Sequence, residues 1–141
     1  MTVVRLGATR PAPVVTEDSE AFWTAVSDGR LVAQRCVGCR RFRHPPRPMC
    51  PHCHSLEHEL FALAGTGTVY SYAILHHPQH PAFDYPVIAA LVDLDEGVRF
   101  VTNLVEIDPS EVRIGMEVEV VFAPTVDDMA VPVFRPRSDD R

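Results

Sequence analysis

The chain has 141 residues, 46% of them hydrophobic, enough for one ordinary domain or two small ones sharing a core, which excludes an intrinsically disordered chain. No apolar run approaches the ~20 residues that span a bilayer, and the first nine residues carry no signal-like apolar stretch, so a soluble, cytoplasmic protein with no membrane contact is expected. The net charge of −6 is unevenly spread: residues 29–56 hold six arginines and no acid, which leaves seven arginines against nineteen acids, or −12, elsewhere.

The first fifteen residues lack periodicity, and Arg10-Pro11-Ala12-Pro13 predicts an extended arm lying on the surface or on a partner. A helix is expected next, capped by Thr16, with Glu17 and Asp18 in its first turn and Gly29 at its end. Phe22, Trp23 and Val26 share one face at helical spacing, so Trp23 is read as buried packing, with a subunit interface as its other use.

Residues 31–35 read as a short strand leading into Cys36-Val37-Gly38-Cys39, which ten residues separate from Cys50-Pro51-His52-Cys53. Two residues between paired cysteines let both sulfurs of one turn reach a single ion at ~2.3 Å, and two such turns complete a tetrahedron. Such clustering in a cytosolic chain points to metal rather than disulfides. Four thiolates leave no open position for water or substrate, so the expected ion is a structural zinc, preferred over iron. His52 and His54 are read as solvent-facing or supporting groups rather than ligands. The spacer is expected to form a hairpin whose arginine-rich tip, residues 40–47, protrudes. That tip reads either as an anion site for phosphates or as a solvated charge cluster pairing with acidic surfaces.

From residue 59 the pattern changes to strands, expected over 59–63, 68–76, 87–94, 99–107, 117–122 and 131–134, with Val118 and Val120 facing inward. Gly65-Thr66-Gly67, Asp95-Glu96-Gly97 and Asp108-Pro109-Ser110 supply turns. Many short strands with little helix suggest a small closed barrel of the OB type, although a sandwich fits the same pattern. The fold class is therefore mainly β, with units at residues 1–30 (arm and helix), 31–56 (ribbon), 57–136 (barrel) and 137–141 (tail). Residues 76–86, with His76, His77, His80 and Phe83, form a proline-stiffened loop between strands, read as a contact loop rather than a catalytic one. No nucleophile motif, phosphate loop or His-Glu-x-x-His pattern appears, so no catalytic residues are assigned.

The ordered series Phe22-Trp23, Gln34-Arg35-Cys36-x-x-Cys39, Pro45-Pro46-Arg47-Pro48-x-Cys50-Pro51-x-Cys53, Gly65-x-Gly67-x-Val69-Tyr70-Ser71-Tyr72, His76-His77-Pro78, Val92-x-Leu94-x-Glu96-Gly97, Asn103, Ile114-Gly115-x-x-Val118 and Phe134-Arg135-Pro136 covers most of the chain. It resembles an acyl-CoA-associated family in which a rubredoxin-like zinc ribbon precedes an OB-fold. Arg40 departs from the glycine that many relatives carry after the second cysteine. The resemblance implies a partner subunit of thiolases or of lipid-transfer-protein-like aldolases that cleave steroid-CoA side chains, hence a hetero-oligomer, with a hydratase as a further partner. On this reading the chemistry belongs to the partner, and this chain stabilises it and helps shape the acyl-CoA path. Arg41, Arg43 and Arg47 are then candidates for the CoA phosphates, and His76, His77 and Phe83 for the partner or acyl chain. Two other readings compete: a nucleic-acid module, disfavoured by the acidic barrel, and a free-standing enzyme built on the histidine loop.

Overall fold

The computed structural model describes residues 2–138, so residues 139–141 of the expected tail lie outside the described part. Thr16 does not cap a helix directly. Its hydroxyl and amide engage the Ser19 hydroxyl at 3.0 and 2.9 Å, closing a turn that holds Glu17 and Asp18, and α1 (Glu20–Ser27) starts one turn later than expected. Gly29, at φ 77°, ends it as anticipated, its N–H donating to the Val26 carbonyl at 2.9 Å. Phe22, Ala25 and Val26 are buried, whereas Trp23 is only half-buried, edge-on to Phe22 at 4.9 Å. The face is right, but the largest side chain sits at its rim.

Three strands make the ribbon sheet, in the order β2 (Phe42–Arg43), β1 (Val32–Cys36), β3 (His58–Ala62), all antiparallel. β2 is the short return of the expected spacer hairpin. The remaining strands, β4 (Thr66–Leu75), β5 (Val87–Leu94), β6 (Arg99–Leu104), β7 (Glu117–Pro124) and β8 (Ala130–Pro136), close into a barrel ordered β4-β5-β6-β8-β7. Every barrel pairing is antiparallel except β6 with β8, which gives the strand order of an OB-fold and excludes the sandwich. β4 begins two residues earlier than expected. Gly67 therefore lies inside a strand, where a Cβ would collide with the Asp93 carbonyl on β5.

One apolar core runs through helix, ribbon and barrel, from Val26 and Val32 to Val69, Val92, Val118 and Phe134. Val118 is fully buried and Val120 partly so, both packed on this core as expected. The alternation then breaks, because Val121, Phe122 and Ala123 are all buried. The arm is the cause. β4 pairs with β7 only over Thr66–Thr68, and beyond that point residues 2–4 take over the vacant edge. Val4 N–H donates to the Phe122 carbonyl and Phe122 N–H to the Thr2 carbonyl, both at 2.9 Å, and Val4 joins Val121, Ala123 and Val133 in a second small core. Among the described residues, no helix is long and apolar enough to cross a membrane.

Candidate metal centre and the surfaces it positions

The two knuckles are built alike. Cys36 N–H donates to the Arg41 carbonyl and Cys50 N–H to the Ser55 carbonyl, each at 2.9 Å. Arg40 N–H then returns to the Cys36 carbonyl at 2.9 Å, and His54 N–H to the Cys50 carbonyl at 3.0 Å. These repeated turns bring all four sulfurs within 4.8 Å of one another. Cys36 Sγ lies 3.5 Å from Cys53 Sγ and Cys39 Sγ 3.6 Å from Cys50 Sγ. A disulfide needs ~2.05 Å, whereas a tetrahedron with ~2.3 Å zinc–sulfur bonds has edges near ~3.8 Å, so the four thiols fit zinc and not a pair of bridges. Backbone N–H groups favour the thiolate: those of Cys53 and His52 bring Cys50 down to about 6, and that of Cys39 lowers Cys36. His52 and His54 are exposed and stand outside the four-sulfur cluster. When bound, the ion supplies a closed cross-link between the ribbon's two halves.

The arginines of the spacer do not share one fate. Arg41 and Arg47 are exposed as expected, but Arg43 does not protrude: it is 6% exposed. It sits opposite Gln34 across β1–β2, and its Nε donates to Gln34 Oε1 at 2.7 Å. Gln34, itself 3% exposed, also accepts from the Arg47 backbone N–H at 3.0 Å, so one buried amide ties down the whole spacer. The sequence does mark Gln34, as the polar residue following Leu31-Val32-Ala33 in a buried strand. Arg43 and Arg47 line a cleft of about 230 Å³ between the spacer and residues 97–99 of the barrel.

His76 and His77 are exposed, in the segment between β4 and β5, while Phe83 is half-buried beneath the Arg10 guanidinium, 4.5 Å from the ring centroid. Arg10 Nη1 donates to Asn103 Oδ1 at 2.7 Å, and Ala8 N–H donates to Asp84 Oδ2 at 2.9 Å. The arm thus fastens the loop of residues 76–86 to β6, a role that the lack of periodicity in the arm concealed. Arg10 also borders a mostly apolar groove of about 530 Å³, whose wall includes Trp23, His44, Phe100 and Val101.

Two family models match the chain: the ChsH2 rubredoxin-like zinc ribbon domain over residues 23–59 and the ChsH2 C-terminal OB-fold domain over residues 62–123. A probable enoyl-CoA hydratase alpha subunit of Thermomonospora curvata is 48% identical over 129 residues, covering 92% of this chain and 40% of that protein. The 3-oxo-4,17-pregnadiene-20-carboxyl-CoA hydratase alpha subunit of Mycobacterium tuberculosis is 36% identical over 110 residues, 78% of this chain and 35% of that one. The chain thus spans two-fifths or less of the length of these hydratase subunits. A DUF35 domain-containing scaffold protein of Methanocaldococcus jannaschii is 37% identical over 94 residues, 65% of this chain and 67% of the relative. Among solved structures, a chain of an Ltp2-ChsH2(DUF35) aldolase matches with a TM-score of 0.84 and 47% identity, over 89% of this chain and 98% of its own. A DUF35-family protein from Sulfolobus solfataricus matches in fold, with a TM-score of 0.61 at 16% identity over 87% of each chain.

Proposed function

This chain belongs to the ChsH2 family of rubredoxin-like zinc ribbons joined to OB-folds, and from that premise we propose that it is a non-catalytic accessory subunit of a thiolase-fold acyl-CoA enzyme. The enzyme is an aldolase that cleaves a steroid-CoA side chain, and this chain stabilises it and helps shape the acyl-CoA path. The observation that carries the reading is the near-complete match to a chain of the Ltp2-ChsH2(DUF35) aldolase, 98% of that chain at 47% identity. The metal centre agrees with it: four sulfurs close the coordination sphere, so an ion there holds shape and offers substrate no seat.

The exposed apolar side chains give a partner something to cover. Val14, Val101 and Ile114 are 86%, 81% and 70% exposed, and Val14 and Val101 lie on the groove beside Trp23. The test is co-expression with a thiolase-fold aldolase subunit. The two are expected to co-purify, and cleavage of a steroid-CoA is expected to need both. A partner that is fully active alone and never co-purifies overturns the reading.

A further inference from the structure

An exposed strand edge is an open row of backbone N–H and C=O groups that can pair with any extended chain, and folded proteins blunt such edges. Most edges of this molecule are blunted in recognisable ways. The ribbon's outer strand β3 is charged, with His58 and Glu59 exposed and Glu57 just before it. β2, at the opposite edge, is only two residues long. The stretch of β7 that β4 leaves bare is covered by the arm, through Thr2 and Val4.

The second half of β4 has no such cover. The strand is ten residues long, but β7 pairs with it only over Thr66–Thr68. Val69 N–H still donates to the Met116 carbonyl at 3.0 Å, and the Val69 carbonyl accepts from Gly115 N–H at 2.8 Å. Beyond that point β5 continues along one side as far as Leu75, and among the described residues no strand lies along the other. A bulge between Val69 and Ser71 marks the departure. The bare run is Tyr70-Ser71-Tyr72-Ala73-Ile74-Leu75, six residues with no charge, no proline and no glycine. Such a composition pairs readily with another strand.

Tyr70, Tyr72 and Leu75 are exposed, as is Ile114, which the Gly115 hydrogen bond brings to the start of the run. The apolar surface continues sideways, because strand pairing aligns Ser71, Leu91 and Val101 across one face of β4, β5 and β6. Val101 in turn borders the groove beside Trp23, a surface that the accessory-subunit reading already gives to a partner. Near the bulge, the Arg99 guanidinium lies 3.6 Å over the Tyr70 ring and is paired with Asp93, so that pair brings no net charge to the edge.

We propose that an extended segment of the partner subunit adds itself to β4 along residues 70–75, as a further strand of the barrel sheet. The inference rests on the accessory-subunit reading and names the surface through which the partner is held. The occupant's chemistry follows from the edge: a strand without charge over about six residues, with apolar side chains towards Tyr72, Leu75 and Ile114. A second copy of this chain offers such a run too. However, outside residues 29–56 the chain has seven arginines against nineteen acids, so pairing β4 with β4 sets two acidic barrels side by side.

The zinc-loaded chain is co-expressed with a thiolase-fold aldolase subunit, and backbone amide hydrogen exchange is compared between the free chain and the complex. Amides of residues 70–75 that face away from β5 are expected to exchange about tenfold or more slowly in the complex. Ala73→Lys and Leu75→Lys each place a guarding charge on the edge. Both should weaken capture of the aldolase subunit about tenfold or more, with zinc content and unfolding midpoint close to wild type. Glu59→Lys, a lysine on the ribbon's edge instead, should leave capture unaltered. If the wild-type complex forms but residues 70–75 exchange as fast as in the free chain, or the lysine variants bind as wild type does, the edge proposal is overturned and the accessory reading stands. A chain that captures no aldolase subunit overturns the accessory reading and, if it sediments as a monomer, the edge proposal with it. A dimer that Ala73→Lys splits gives the edge to a second copy and overturns the occupant proposed here.

Discussion

Arg40 and His54 occupy equivalent positions, each directly after the second cysteine of its knuckle, and both take left-handed backbone, at φ 63° and 64°. Each N–H closes its turn on the carbonyl of the knuckle's first cysteine. The knuckle geometry demands this conformation, which a residue with a Cβ adopts at a cost of ~1 kcal/mol. The glycine expected from the family after Cys39 is thus explained, and Arg40 is a strained substitute. Arg40→Gly and His54→Gly should each raise the unfolding free energy of the zinc-loaded protein by roughly 0.5–1 kcal/mol in denaturant titrations. Unchanged or lower midpoints in both variants would show that the arginine and histidine side chains contribute more than their backbone strain costs.

Gln34 makes the second prediction. Its Oε1 accepts from both Arg43 and Arg47, inside the ribbon sheet. Gln34→Leu removes the acceptor and leaves Arg43 with no hydrogen-bond partner, so a loss of about 2–3 kcal/mol is expected by chemical denaturation. Adding Arg43→Leu to Gln34→Leu should restore much of that loss, since an apolar pair replaces an orphaned charge. Strict additivity of the two single effects would refute the coupling.

Removing the metal should act beyond the ribbon. β1 carries Cys36 at its end and buries Val32 and Ala33 in the core shared with α1 and the barrel. One zinc per chain is expected by elemental analysis. Chelation, or Cys36→Ser, should disorder β1 to β3 and change the emission of half-buried Trp23 on α1. Metal-free protein with unchanged amide NMR dispersion over residues 32–62 would contradict a structural role for the ion.

The legible parts of this molecule were those whose cause is local. Cysteine spacing forces the four sulfurs together, and alternating valines mark β7, because both patterns act over a few residues. Arg43 was illegible for the opposite reason. Nothing in Arg40-Arg41-Phe42-Arg43 distinguishes the arginine that turns inward; the partner that draws it in, Gln34, lies on another strand. The arm is legible as an extended segment, but where it docks is not, because its order comes from the edge of β7 that β4 leaves bare, and two isolated parallel bridges impose no period on residues 2–10. Trp23 was placed on the correct helix face, but its half-exposure depends on where the groove opens, which no helical wheel records.

Acid sensitivity should trace to His44. Its ring lies 3.9 Å from that of Phe100 and 5.2 Å from that of Phe22, its Nδ1 is buried without a partner, and burial lowers it from 6.5 to about 4. The folded state therefore holds His44 neutral where the unfolded state protonates it. Stability contributed this way is intact above pH 6.5 and lost as the pH falls from 6.5 towards 4, because the unfolded chain binds the extra proton; below 4 the loss levels off at roughly 3 kcal/mol. Acid release of zinc would also destabilise the ribbon, so the informative quantity is a difference. His44→Phe keeps an aromatic ring against Phe100 and removes the proton site. In zinc-saturated protein, the stability gap between His44→Phe and wild type should widen in favour of the variant as the pH drops from 6.5 to 4, and stay constant above 7. Two curves that run parallel across that window would place the acid sensitivity elsewhere, in the metal-bound thiolates rather than in this imidazole.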